Sequence, residues 1–179
     1  MDKLKFIIAG GGTGGHLFPA LAIGEELNDR TGADIHYIGS QYGIEAEKLP
    51  ASNLKHTLLP IRGLQRGFSV SSISINLLLP WRLLMSRIKT KSFVDEYQPD
   101  AVIGTGGYAS ALPLYIARRK NIPYFIQEQN SYPGMTTRYF AENAETVFTA
   151  YEEVEKHIKK KTSFRRETRF EKTLLLGIA

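Results

Sequence analysis

What this sequence lacks narrows it before any motif is read. Cysteine is missing altogether, which excludes a disulfide framework, thiolate catalysis and a cysteine metal site; neither a metal nor a cofactor is expected. No apolar run reaches the roughly 20 residues that span a bilayer. No secretory leader is visible, because Met1 to Lys5 runs straight into the first strand pattern, and the default compartment is cytoplasmic. Acidic residues are missing from residues 48–94, which hold eight Lys/Arg, and residues 156–172 carry a net +6. The whole chain totals only +5 over 179 residues, so the remainder is acidic. That distribution argues against a nucleic-acid binder and for one basic window and one basic tail on an acidic domain.

What is present begins with Ala9-Gly10-Gly11-Gly12-Thr13-Gly14-Gly15-His16. The loop follows an apolar run, Leu4 to Ala9, that reads as a buried parallel strand. It precedes Phe18-Pro19-Ala20, which reads as a helix start with proline in the first turn. Glycines at a strand-to-helix turn let backbone approach a ligand, and the helix behind them offers free N–H groups and a positive dipole end. The expected ligand is an anion, most often phosphate, with His16 as the candidate base beside it. Gly15 is followed by His16-Leu17 and not Lys-Ser/Thr, which excludes a Walker loop. The second strand ends in Gly39-Ser40-Gln41 without the acid a dinucleotide site needs; Asp34 lies at its wrong end. A turn that only packs helix on strand is the plainer alternative.

Strand and helix patterns alternate down the chain. Strands are expected over 34–39, 56–61, 101–104, 123–127 and 145–149, and helices over 20–28, 44–49, 73–97 (broken or started at Pro80), 108–120 and 133–142. The alternation predicts an α/β fold, a Rossmann-like doubly wound parallel sheet. A loop holding Gly63, Gly67 and Ser69 to Ser72 is long enough to be functional. A second glycine turn, Gly104-Thr105-Gly106-Gly107-Tyr108, follows the fourth strand, and a polar turn, Gln127-Glu128-Gln129-Asn130, follows the fifth. In such a sheet the loops after strands one and four flank the crevice where strand order reverses, so all three turns should converge on one site. Helix capping and turn chemistry are the plainer roles of Glu128 and Asn130.

Three motifs resemble the MurG family of peptidoglycan glycosyltransferases. They are the first glycine loop through Ala20, the second through Ser110, and Glu128-Gln129-Asn130 with Pro133-Gly134-Met135-Thr136; together they cover Leu4 to about Ala150. Gln127 departs from the family's usual His. The resemblance implies the N-terminal, acceptor-side domain of a two-domain GT-B glycosyltransferase. It implies inverting transfer of N-acetylglucosamine from UDP-N-acetylglucosamine to lipid I, giving lipid II, at the cytoplasmic face of the bacterial inner membrane. By the same resemblance Thr13, Gly14, Gly15, Gln129 and Asn130, with Gly106 and Gly107, line the substrate site. Tyr108, Ser110 and Glu128 shape its acceptor side. His16 is the favoured base and Glu128 the alternative. A non-catalytic lipid-diphosphate or nucleotide-binding module, or another lipid-directed GT-B enzyme, are the competing readings.

The acid-free window contains Leu78, Leu79, Trp81 and Met85 beside Arg82, Arg87 and Lys89. An apolar patch with a basic rim suits a peripheral site on an anionic membrane, where lipid I resides; the alternative is a helix that buries this side in the core. Where the family continues Gly-Asn-Pro-Val-Arg, this chain reads Arg166 to Lys172 as Arg-Glu-Thr-Arg-Phe-Glu-Lys. One coding of that stretch, moved back one nucleotide, reads Gly-Asn-Pro-Val-Arg-Lys. The expectation is a domain over 1–161, an out-of-frame tail over 162–179 that does not pack, and an absent donor domain.

Overall fold

The computed structural model describes residues 3–65 and 74–158 and the backbone of 70–73 and 163–166. The loop expected around Gly67 and Ser69 lies partly outside the described residues, as does 167–179. The strands are β1 (Lys5–Gly10), β2 (Asp34–Ser40), β3 (His56–Leu59), β4 (Ala101–Gly106), β5 (Tyr124–Glu128), β6 (Thr146–Thr149) and β7 (Ser163–Arg166). The helices are α1 (Gly14–Thr31), α2 (Glu45–Ala51), α3 (Val70–Leu77), α4 (Leu79–Tyr97), α5 (Ala111–Lys120) and α6 (Met135–Phe140). One parallel sheet has the order β3-β2-β1-β4-β5-β6-β7. Chain order reverses direction between β1 and β4, the switch point at which doubly wound sheets bind ligands.

Period-two alternation assigns each strand's side chains to one of two cores. Phe6, Ile8, Ile103, Phe125 and Phe148 face α1 and α2, beside Leu17, Ala20, Leu27 and Leu49. Ile7, Ala9, Val102, Ile126 and Val147 face the other layer, beside Val94 of α4, Leu114 and Ala117 of α5 and Phe140 of α6. Both faces are covered, so the central strands are continuous apolar runs, as a parallel sheet requires.

Two expectations are corrected. First, α1 starts at Gly14, so Gly14 and Gly15 form its first turn and Pro19 lies inside the helix. Its inward residues, Leu17, Ala20, Gly24 and Leu27, recur at helical spacing, and this face outweighs the weak propensity of two glycines and a proline. Second, the span read as one helix over 73–97 is two, α3 and α4, with Pro80 in the opening turn of α4. Within the expected tail, the backbone of Ser163–Arg166 adds β7 in parallel register to β6, Thr146 opposite Ser163 through Thr149 opposite Arg166. The first four residues of the expected tail that are described therefore belong to the sheet.

Candidate functional site

Each of the three turns leaves the carboxyl end of a central strand, and glycine lets them touch. β1 and β4 lose simple register between Ala9 and Gly10, where the first loop lifts away. A side chain on Gly10 would meet Thr105 Oγ1 at 1.9 Å, and one on Gly107 would meet the Gly11 carbonyl oxygen at 2.1 Å. Gly107 also has φ +74° and Gly106 φ +103°, conformations that favour glycine. The Thr105 hydroxyl donates to the His16 carbonyl at 2.8 Å. The third turn joins through Thr136, whose hydroxyl donates to the Gly107 carbonyl at 3.1 Å.

His16 sits where these loops meet. Its Nδ1 lies 3.0 Å from Thr13 Oγ1, and its ring packs against Gly106. Partial burial pulls its pKa below 6.5, opposed by the nearby Glu128 carboxylate, a hydrogen bond to the Gly11 backbone and the Glu45 carboxylate. Near pH 7 the imidazole is neutral, the state in which it accepts a proton. Gly14 and Gly15, as the first two helical residues, have no carbonyl partner within α1 and direct their N–H groups out of its N-terminus.

The other named residues divide by how their polar atoms are used. Glu128 is buried and accepts from the Asn130 backbone N–H at 3.0 Å, the Asn130 side-chain amide at 2.9 Å and the Gly134 N–H at 3.0 Å. It therefore shapes the third turn from beneath. Ser110 is fully buried and donates to the Gly107 carbonyl at 3.0 Å, so it acts on the second loop's backbone. The Tyr108 ring covers Gly12 and Gly63, and its hydroxyl lies 3.4 Å from Ser40 Oγ. Gln129 is partly buried, with Oε1 turned inward and unbonded in the structure.

Glu45 was missed in the sequence. It is fully buried and takes the Gly12 N–H at 3.0 and 2.9 Å and the Ser40 N–H at 2.8 Å. A side chain on Gly11, Gly39 or Gly43 would collide with it. One N–H of the loop read as a phosphate cradle is thus held by the protein's own carboxylate. The available signal was two glycines, Gly39 and Gly43, just before the first acid of a short helix. Asp34, at the far end of β2, pairs with Lys55 at 2.6 Å.

The membrane-window residues are split. Leu78, Trp81 and Met85 are exposed, with Trp81 at 63%, while Leu79 is half-buried. The cations that should rim them are drawn back onto the domain. Arg82 lies 5.0 Å from the Tyr42 ring, Arg87 lies 5.7 Å from the Tyr115 ring, and Lys89 donates to the Leu58 carbonyl at 2.9 Å. A surface depression lined by Lys5, Gly24, Asp34 and Tyr37 opens at the opposite, amino end of β1 and β2, away from every one of these groups. Among the described residues no cluster of metal-ligating side chains occurs and no helix is long and apolar enough to cross a membrane.

Comparison with known proteins agrees with this geometry. The chain is 42% identical over 154 residues to a Christiangramia forsetii protein named UDP-N-acetylglucosamine–N-acetylmuramyl-(pentapeptide) pyrophosphoryl-undecaprenol N-acetylglucosamine transferase, covering 86% of this chain and 41% of that one. A Flavobacterium psychrophilum protein of the same name is 40% identical over 161 residues, covering 89% and 43%. The chain thus spans less than half the length of these relatives. Among solved structures it superposes on Acinetobacter baumannii MurG with TM-score 0.70 at 25% identity, covering 91% of this chain and 45% of that one. A UDP-N-acetylglucosamine 2-epimerase from Rickettsia bellii shares the fold, with TM-score 0.56 at 17% identity, covering 93% and 44%. Residues 6–149 match the glycosyltransferase family 28 N-terminal domain, and the chain belongs to that family.

Proposed function

We propose that this chain is the acceptor-side half of an inverting glycosyltransferase that moves N-acetylglucosamine from UDP-N-acetylglucosamine to the sugar 4-hydroxyl of lipid I. The observation that carries this reading is His16, neutral near pH 7 and set at the meeting of three ligand-accessible loops. A sugar hydroxyl is a poor nucleophile until a base takes its proton. In this reading the hydroxyl proton passes to His16 Nε2 while the ring's other nitrogen is oriented by Thr13. The oxygen attacks the anomeric carbon, the bond from that carbon to the diphosphate breaks, and UDP leaves with the electron pair. Gly14 and Gly15 N–H groups and the α1 dipole favour the negative charge that builds up. Glu128 favours the imidazolium as it forms and holds Asn130 toward the donor sugar. Its three hydrogen bonds make it an organiser and leave the base role to His16.

A second Rossmann-like domain supplies the remaining nucleotide contacts, and turnover is read in the two-domain protein. The apolar patch on α3 and α4 docks peripherally on the anionic cytoplasmic face of the inner membrane, where the acceptor is anchored. His16→Ala in the two-domain protein should cut kcat by about 10²–10⁴-fold with little change in donor dissociation constant. The acid limb of the kcat profile should fall below pH 6.5, as the depressed pKa requires. A loss confined to donor affinity would make His16 a binding residue and return Glu128 to consideration as base.

A further inference from the structure

Arg62 and Arg82 come from distant parts of the sequence and share one aromatic ring. Their guanidinium carbons lie 5.2 Å and 5.0 Å from the Tyr42 ring centre. No ion pair to a carboxylate is found for either among the described residues. Arg82 Nη1 is buried without a hydrogen-bond partner. The Tyr42 ring attracts each guanidinium, and guanidinium forks suit the paired oxygens of phosphates.

We propose that Arg62 and Arg82, presented by Tyr42, form the site that binds the diphosphate of a polyprenyl-linked acceptor. The inference rests on the proposed function and adds the place of the acceptor's charged linker. Two observations favour this site over the glycine loops. Those loops are lined from below by Glu45 and Glu128, both buried carboxylates, and one loop N–H is already given to Glu45. In the proposed function those loops already receive the donor's diphosphate, whereas the arginines lie within the acid-free stretch.

The second observation is order along the surface. Arg62 precedes Gly63, which packs on the Tyr108 ring, and that ring covers Gly12 of the loop holding His16. On the other side Arg82 follows Trp81, whose side chain is exposed like those of Leu78 and Leu84. The sequence of surfaces is base, aromatic ring, cation pair, apolar patch. A polyprenyl-diphosphate-linked sugar has the same order: reacting hydroxyl, sugar ring, diphosphate, hydrocarbon. Tyr42 itself is exposed at its ring, so a ligand reaches the pair from solvent.

The test uses the 179-residue chain and three probes: farnesyl diphosphate without vesicles, UDP, and phosphatidylglycerol vesicles free of diphosphate lipid. Titration calorimetry should show farnesyl diphosphate binding that weakens about tenfold in R62Q and in R82Q, the loss of one charged hydrogen-bonding partner each. Y42L should weaken it similarly and Y42F should restore it, because the ring and not the hydroxyl holds the guanidiniums. UDP should bind at least about tenfold more weakly, and vesicle sedimentation of R62Q should stay within about twofold of wild type. Circular dichroism checks that each variant is folded. Wild-type farnesyl diphosphate affinity in folded R62Q and R82Q, no binding by the wild type, equal affinity for UDP, or a loss seen only with vesicles would each overturn the site. In the two-domain protein, unchanged acceptor KM in R62Q would remove this site while leaving the glycosyltransferase reading intact. Arginine-dependent diphosphate binding without any sugar transfer would do the reverse.

Discussion

The two halves of α4 obey opposite rules. In the half nearer the carboxyl edge of the sheet, the large apolar side chains Trp81, Leu84, Met85 and Ile88 are exposed, and the inward position is taken by Ser86. In the other half Val94 is buried and Phe93 stacks between His36 and Tyr97, at 4.1 Å and 5.2 Å. Asp95 there bridges Lys91 and Lys120. The second half is an ordinary amphipathic helix on a core. The first half turns its apolar residues to solvent, as a helix does when its apolar partner is another surface. Packing within the domain therefore does not account for those residues, and the proposed membrane docking would.

The largest expected separation between the halves is in membrane binding. Replacing Trp81, Leu84 and Met85 together with alanine should lower sedimentation with anionic vesicles about a hundredfold, from the apolar area each would bury in the interface. Unfolding free energy should change by no more than about 0.5 kcal/mol per site, because these groups are exposed in the folded chain. Raised salt should weaken the wild type as well, through screening of the attraction between the acid-free stretch and the anionic surface. A triple variant that loses stability but still sediments would abolish the distinction.

The reciprocal change is Val94→Ala, which should cost about 2 kcal/mol in denaturant unfolding, combining lost transfer energy and residual cavity. Vesicle binding of the folded variant should match wild type. Together the two variants form a double dissociation, stability on one half and binding on the other. A fall in vesicle binding with Val94→Ala would mean that the two halves act as one unit.

What the sequence revealed follows from range. Parallel strands and the convergence of three turns were readable because each rests on local patterns: apolar runs, and glycines immediately after them. The start of α1 at Gly14 was not, because glycine and proline speak locally against helix and only the packing of Leu17 and Ala20 on Phe6 and Ile8 favours it. Glu45 was invisible as a loop organiser because its partners, Gly12 and Ser40, meet it only after β1 and β2 pair. The residues expected to form a membrane face, Leu78, Trp81 and Met85 among them, are exposed. The anchoring of Arg82, Arg87 and Lys89 onto Tyr42, Tyr115 and Leu58 was not readable, since each pairing joins elements distant in sequence. The residues of β7 fall in the tail expected to lie out of frame, and their backbone continues the β6 ladder.

The smallest predicted effect sharpens the same contrast through pH. His36 on β2 packs under the second half of α4, with its Nε2 2.9 Å from Thr57 Oγ1. Burial lowers its pKa to about 4, helped by the neighbouring His56 and Lys55 and opposed by Asp34. The unfolded chain, with an ordinary histidine near 6.5, binds the proton more readily than the folded one between these values. Stability should therefore be unaffected above pH 6.5 and fall as pH drops from 6.5 toward 4, by about 1 kcal/mol once solvent screening of this partly exposed group is allowed for. Hydrogen exchange should locate the loosening at residues 89–97 and leave 79–88 unchanged. His36→Gln should flatten the slope of unfolding free energy over that interval, keeping a polar contact to Thr57 without a titrating ring. An identical slope in His36→Gln would assign the acid sensitivity to carboxylates elsewhere. A loosening shared equally by both halves of α4 would show that the helix responds as a single rigid rod, and the division into a core half and a docking half would then rest on exposure alone.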